Sequence, residues 1–457
     1  MAKQLENAWL WVSCRDLATE LRQLEDEGRD TTPVRRRMRA LIRLGDEAIA
    51  TERNQRKAAE LLDAGAKLKM RRGYPYVEPS DLRGIRKLRK RGPRRFRTAR
   101  SDRVLLDRVT GAWLGRCIGC LLGKAAEGVR SDRFWPFLKA TRQWPIRDYI
   151  RFGARGKAAR AFGDLARRAW CDRIDHMPVD DDTNYTTTGF LIVKRHGPTF
   201  TPADVAQFWM RNLPLLATCT AERVAYRNLA CGLTPPASAS FRNPFREWIG
   251  AQIRADAFGY VTMGRPQRAA ELAWRDASIS HVRNGIYGEM LMAAAIAAAP
   301  YCQTPRELLE VGLTEIPRTS RLFEDLTEAI AWFDAGLSYD EAVARIHEKW
   351  DENVGHDWCH TNSNAVICAV ALLYGDGDFG RAVCRAVQPC FDTDCNGATA
   401  GSIVGAILGA KALPEGWVTP LKDRVRSILS GFSESSITDL ARRTCAVGES
   451  IRSDHAR

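Results

Sequence analysis

Residues 111–128 read GAWLGRCIGCLLGKAAEG, and the spacing of their glycines decides how the chain folds. Gly111, Gly115, Gly119 and Gly123 fall four apart, so a helix carries them as one smooth stripe that Glu127 continues. Residues 396–411, NGATAGSIVGAILGAK, repeat the device with Gly397, Gly401, Gly405 and Gly409. Each interior glycine costs a helix about 1 kcal/mol against alanine, and close approach of another backbone is the usual reason to keep it. The two stretches therefore predict two tightly packed helices, in one of two arrangements. If the stripes face each other and run antiparallel, Glu127 lies beside Asp392 and Asp394, and acids far apart in the chain meet at one point. If each stripe packs on some other helix, Glu127 is a solvated end residue.

The surrounding sequence from about residue 103 onward has the same texture: long apolar runs with Gly and Ala, bounded by Pro and Asp/Thr clusters, with no sustained alternation of β-branched residues. An all-α main domain is expected. With 457 residues and 45% hydrophobic content, the chain has enough material for at least one substantial core. No run approaches the roughly 18–20 apolar residues of a membrane span, and MAKQLENAWLWVSCRDL lacks the order of a signal peptide, so a cytoplasmic protein without membrane contact is expected. Thirteen cysteines, among them Cys368, Cys384 and Cys445 within apolar helical patterns, read as reduced core thiols.

The net charge of +14 is concentrated at the start of the chain, where residues 1–100 hold 26 Lys and Arg against 14 Asp and Glu. LATELRQLEDEG and RNQRKAAELLDAGAKL have the apolar spacing of amphipathic helices; residues 71–103, rich in Arg, Gly and Pro, read as a linker or an extended basic arm. The expected organisation is a basic helical region with its linker (1–102), a main domain (103–415) and a C-terminal helical segment (416–457). Residues 1–100 are a candidate contact for nucleic acid or an acidic partner, although few aromatics interrupt the Arg run and such runs are usually solvated faces.

Two acid clusters carry the candidate chemistry. MPVDDDTNYTTTGFLIV places Asp180, Asp181, Asp182 and Thr183 directly before an apolar helical run. One Asp suffices to cap a helix, and an isolated DDDT reads most simply as an over-capped, exposed helix start. Three adjacent carboxylates repel one another, however, and a divalent cation such as Mg²⁺, Mn²⁺ or Ca²⁺ relieves that repulsion. FDTDCNGATAGS supplies Asp392, Asp394 and Asn396 before Gly397, in imitation of an EF-hand opening, yet Ile403 stands where that loop requires a bidentate Glu. What remains is an Asp-x-Asp pair at a second helix start, and the coincidence of two such starts favours a metal site over two caps. Cys117 and Cys120 form a C-x-x-C without a second pair at zinc spacing, and His356 and His360 lack the Glu of HExxH; both are weak metal signals.

Taken together, GAWLGRCIGCLLGKAAEG, DDDTNYTTTGFL and FDTDCNGATAGSIVGAIL, in that order, resemble the ADP-ribosylglycohydrolase family over roughly residues 105–415; GAQIRADAFGY, SISHVRNGIYGE and HTNSNAVICAVALLYGDGDF add to the match. The resemblance implies a compact all-α domain around two Mg²⁺ ions, with Mn²⁺ as a substitute, and cleavage of the bond between ADP-ribose and a protein or small-molecule acceptor through an oxocarbenium-like state. It further implies Asp180, Asp181, Asp182, Asp392, Asp394 and Cys395 as metal ligands and Glu127, Asp181 and Asp182 as catalytic residues. Gly250, Gln252 and Arg254, with Ser280, His281, Asn284 and Gly285, are then the candidate diphosphate-binding set, against the simpler readings of a turn glycine and a buried histidine. Asn362 and Asn364 are read first as helix caps. Asp180 and Cys395 depart from the family's hydroxyl residues, and Cys120 stands where Asp is frequent. A thiol is a poor Mg²⁺ ligand, so a catalytically impaired ADP-ribose-binding module is the alternative expectation.

Overall fold

The computed structural model describes residues 11–97, 100–151, 160–163 and 171–453. The first ten residues of the expected basic region and the last four of the C-terminal segment lie outside them. The helices include α1 (Cys14–Asp26), α2 (Thr32–Ile42), α3 (Glu52–Ala66), α4 (Asp102–Lys124), α5 (Asp181–His196), α6 (Thr220–Ala230), α7 (Arg283–Ala298), α8 (Thr361–Gly375), α9 (Phe379–Val387), α10 (Thr393–Leu408) and α11 (Ile437–Ser453). Strand structure among the described residues is confined to a short antiparallel pair, Arg424–Arg426 with Glu434–Ser436. The fold is all-α.

The glycine stripes face each other. A Cβ on Gly111 would stand 2.4 Å from the carbonyl oxygen of Gly405, one on Gly115 2.0 Å from that of Gly401, and one on Gly119 1.8 Å from that of Gly397. The partner numbers fall as the first set rises, so α4 and α10 run antiparallel with their main chains in contact. No side chain larger than hydrogen fits at this seam, which accounts for the helix propensity given up there. Gly409 stands apart: it closes α10 at φ +84°.

Around this pair the helices α7 and α8 are apolar on nearly every face, as befits the interior of a large core. The C-terminal helix α11 packs directly on α4, with Trp113 Nε1 donating to Thr444 Oγ1 at 3.2 Å. No helix among the described residues is long and apolar enough to cross a membrane.

Helices α1–α3 bury a small apolar cluster of their own, including Leu17, Leu24, Met38 and Leu61. This cluster is tied to the main body by ion pairs: Arg246 bridges Glu20 (2.6 Å) and Glu27 (2.7 Å), and Arg242 holds Asp63 (2.7 Å). The stretch after it lies along the main body. Glu78 meets Arg321 at 2.8 Å, Trp274 Nε1 donates to the carbonyl of Ser80, and Arg89 and Arg94 both converge on buried Glu315. Part of the positive charge expected on a free basic arm is thus spent within the chain, on acids that lie more than 200 residues away in sequence.

Candidate active site

The antiparallel seam delivers the end of α4 to the start of α10, and Thr393 accordingly donates its hydroxyl to the Gly123 carbonyl at 2.8 Å. The start of α5 joins them, so two helix N-termini point their positive dipole ends into one region crowded with carboxylates. Ligand atoms of Asp182, Asp394 and Cys395 lie within 4.8 Å of one another, as do those of Cys120, Asp180 and Asp182. Glu127 is exposed beyond the end of α4, with Lys124 Nζ 3.7 Å from its carboxylate.

Capping explains only one of these acids. Asp180 accepts from the Asp182 backbone N–H at 2.9 Å and caps α5, while Asp392 makes no side-chain cap on α10. Asp181, Asp182, Asp392 and Asp394 are therefore surplus to the helix ends they occupy.

Two cations of the protein enter the cluster, and neither was singled out from sequence. Arg116 is fully buried; its guanidinium reaches Asp182 at 2.6 Å and Asp256 at 2.9 Å and donates to the Ile253 carbonyl and the Thr186 hydroxyl. Lys124 Nζ lies 2.5 Å from Asp180 Oδ2. Arg116 had a signal available, because it is the one charged residue between Val109 and Gly123. Cys359, also missed, donates its thiol to Asp392 Oδ2 at 3.4 Å.

Burial and mutual repulsion dominate the electrostatics. Burial pushes Asp181 well above the ordinary carboxylate range, and Asp180 and Asp182 push it further. Asp182 is likewise raised by burial, with Arg116 opposing, and Asp394 by burial followed by Glu127 and Asp392. Asp392 is raised by burial against hydrogen bonds from Asp394, Cys395 and Cys359. Asp180 is the exception: burial raises it, but the Lys124 ammonium prevails and holds it below its usual value.

This donor set fits a hard divalent cation. Carboxylate oxygens are the preferred ligands of Mg²⁺ and Mn²⁺, and Asp394 Oδ1 is buried without a hydrogen-bond partner. The thiols fit less well: burial holds Cys120 and Cys395 far above the ordinary thiol range, in the protonated form. The second histidine-bearing group, Asp26, His356 and His360, fits a cation poorly. Trp248 Nε1 donates to His356 Nδ1 and the Asn362 backbone N–H to His360 Nδ1. Each neutral ring therefore carries its proton on Nε2, which leaves no lone pair for a metal.

Apart from Gln252, the candidate diphosphate set has internal partners rather than free donors. Every guanidinium nitrogen of Arg254 is engaged, with Glu222, Asp276, Glu289, Ser280 and the carbonyls of Gly250 and Asp276. Ser280 shares its hydroxyl with His281 Nδ1 at 2.8 Å, and burial followed by Arg254 holds His281 neutral. Asn284 bridges Glu78 and Glu247, and Gly285 packs under the Arg246 carbonyl. Gly250 gives room to the Glu222 carboxylate, which burial raises to about 7 against the pull of Arg254. Gln252 is fully buried with both side-chain polar atoms unpartnered. Asn362 donates to Asp325 and Asn364 to the His360 and Trp358 carbonyls, so neither amide faces outward.

The described residues form a helical body with a polyacidic centre at converging helix N-termini. A sequence model of the ADP-ribosylglycohydrolase family matches residues 101–452, and the chain belongs to that family. A solved structure named as an ADP-ribosylglycohydrolase-related protein complex is similar at 18% identity and a TM-score of 0.47, covering 76% of this chain and 99% of that one. Among curated proteins none matches.

Proposed function

We propose that the protein hydrolyses the glycosidic bond between ADP-ribose and an acceptor, using a divalent cation held by Asp182, Asp392 and Asp394 with Asp181 beside them. One observation carries this reading: ligand atoms of Asp182 and Asp394, two carboxylates not needed for capping, lie within 4.8 Å of each other where the backbones of α4 and α10 are locked together. When bound, Mg²⁺ or Mn²⁺ supplies positive charge that orients ribose hydroxyls and acidifies water. The protein's own groups do the rest. The carboxylates stabilise positive charge developing on the distal ribose, and Glu127, exposed at the edge of the cluster, transfers a proton to or from the reacting oxygen. A release assay on arginine-, serine- and nucleobase-linked ADP-ribose, with Mg²⁺, Mn²⁺ or chelator, tests the proposal. Cation-dependent release, lost in Asp181→Ala and Asp394→Ala, supports it; a folded, metal-loaded protein inactive on all of these rejects it.

The buried thiols of Cys120 and Cys395 favour a second reading, an ADP-ribose-binding module without turnover. Calorimetry beside the release assay separates the two, since any turnover excludes the pure binder.

A further inference from the structure

The two trios of candidate ligands share Asp182 but differ in what they leave open. In the trio of Cys120, Asp180 and Asp182, both oxygens of Asp180 are committed: Oδ1 accepts the Asp182 backbone N–H at 2.9 Å and Oδ2 receives the Lys124 ammonium at 2.5 Å. The third corner is a buried thiol 3.9 Å from Asp182 Oδ2, which offers no hard oxygen. In the trio of Asp182, Asp394 and Cys395, by contrast, Asp394 is 3% exposed and its Oδ1 has no hydrogen-bond partner. A buried carboxylate oxygen without a donor is costly to keep, and a cation is the occupant that the surrounding acids select.

Lys124 is well held in its place. It is the last residue of α4, the helix fixed against α10 by the glycine seam, and its ammonium sits between Asp180 and Glu127. A tethered ammonium beside Asp180 repels a second divalent ion and at the same time supplies one of the two positive charges that ion would bring.

We propose, resting on the metal-dependent reading above, that this centre binds one divalent cation rather than two, at the Asp182–Asp394 edge, and that the Lys124 ammonium stands permanently in the other cation position. The chain thereby carries half of its cationic machinery as a side chain.

Equilibrium dialysis of the full-length protein against Mn²⁺, with metal counted by mass spectrometry and the ion's environment read by electron paramagnetic resonance, tests this without recourse to activity. The wild type is expected to bind one Mn²⁺ per chain with the spectrum of an isolated ion. Lys124→Ser, checked for folding by circular dichroism, is expected to bind two, with the broadened spectrum of a spin-coupled pair, and Lys124→Arg to bind one. Two ions in the wild type overturn the inference and leave the metal-dependent reading standing, whereas none overturns both. A folded Lys124→Ser that still binds one ion also overturns it. Should that variant not fold, the wild-type count decides alone.

Discussion

The guanidinium of Arg116 lies 2.6 Å from Asp182 Oδ1, and neither side chain has any contact with solvent. The pair sits directly behind the acid cluster and extends to Asp256, so one cation serves two buried carboxylates. Its removal leaves charges stranded in the core. Arg116→Met is expected to destabilise the fold by about 3–5 kcal/mol, the usual cost of breaking a buried pair from one side. Urea denaturation at neutral pH measures this, and a loss below about 1 kcal/mol would mean that the pair is not a net support of the fold.

The seam of α4 and α10 predicts an asymmetry among glycines. Gly119→Ala places a methyl 1.8 Å from a main-chain carbonyl that cannot swing away, so the helices must part. The gain of about 1 kcal/mol in helix propensity is outweighed, and a net loss of about 2–3 kcal/mol is expected together with weaker cation binding. Gly416, with nothing within 4 Å of the same position, serves as the control, and Gly416→Ala should be close to neutral. Melting temperatures and Mn²⁺ titrations of the two variants give the comparison.

Stability should depend on pH in a direction fixed by the raised carboxyls. Asp181 and Asp394 hold their protons in the folded state well above the ordinary value of 3.8, so between that value and their raised ones the folded chain binds more protons than the unfolded chain. Stability of the metal-free protein then falls as pH rises through this window. Asp180, lowered by Lys124 despite its burial, is ionised throughout and adds no slope there. Because a cation displaces those protons, the Mg²⁺-induced rise in melting temperature should grow as pH rises through the same window. Thermal unfolding in chelator and in Mg²⁺ across this range checks both trends, and a cation effect independent of pH would contradict them.

Glu127 is exposed and stands three residues beyond Lys124, the end of α4, in a position suited to proton transfer rather than metal binding. Glu127→Gln is expected to lower kcat by about 10²–10⁴-fold while leaving Mn²⁺ affinity within a few-fold of wild type. A parallel loss of metal would instead make Glu127 a ligand.

Sequence periodicity alone revealed the helices and both glycine stripes, and the surplus of acids at two helix starts marked the centre. Whether the stripes met was undecidable from spacing, because a smooth face accepts any close neighbour; the Gly119–Gly397 approach resolves it. Lys124 escaped notice since a basic residue at a helix C-terminus is ordinary. Arg254 entered the candidate diphosphate set through the resemblance alone; its partners Glu222, Asp276 and Glu289 come from three other segments that only folding brings together. The basic arm likewise hid its counter-charges, Glu271 and Glu315, far along the chain.

The glycine seam has a consequence for how such a centre changes over time. Its register is fixed by main chain pressed on main chain, so the positions of residues 392–395 and 124 relative to one another do not depend on which side chains occupy them. Donors at the end of the seam are free to be exchanged, hydroxyl for thiol at Cys395 among them, without re-spacing the rest. A scaffold of this kind permits a lineage to alter its appetite for metal one residue at a time while the frame that gathers the acids stays constant.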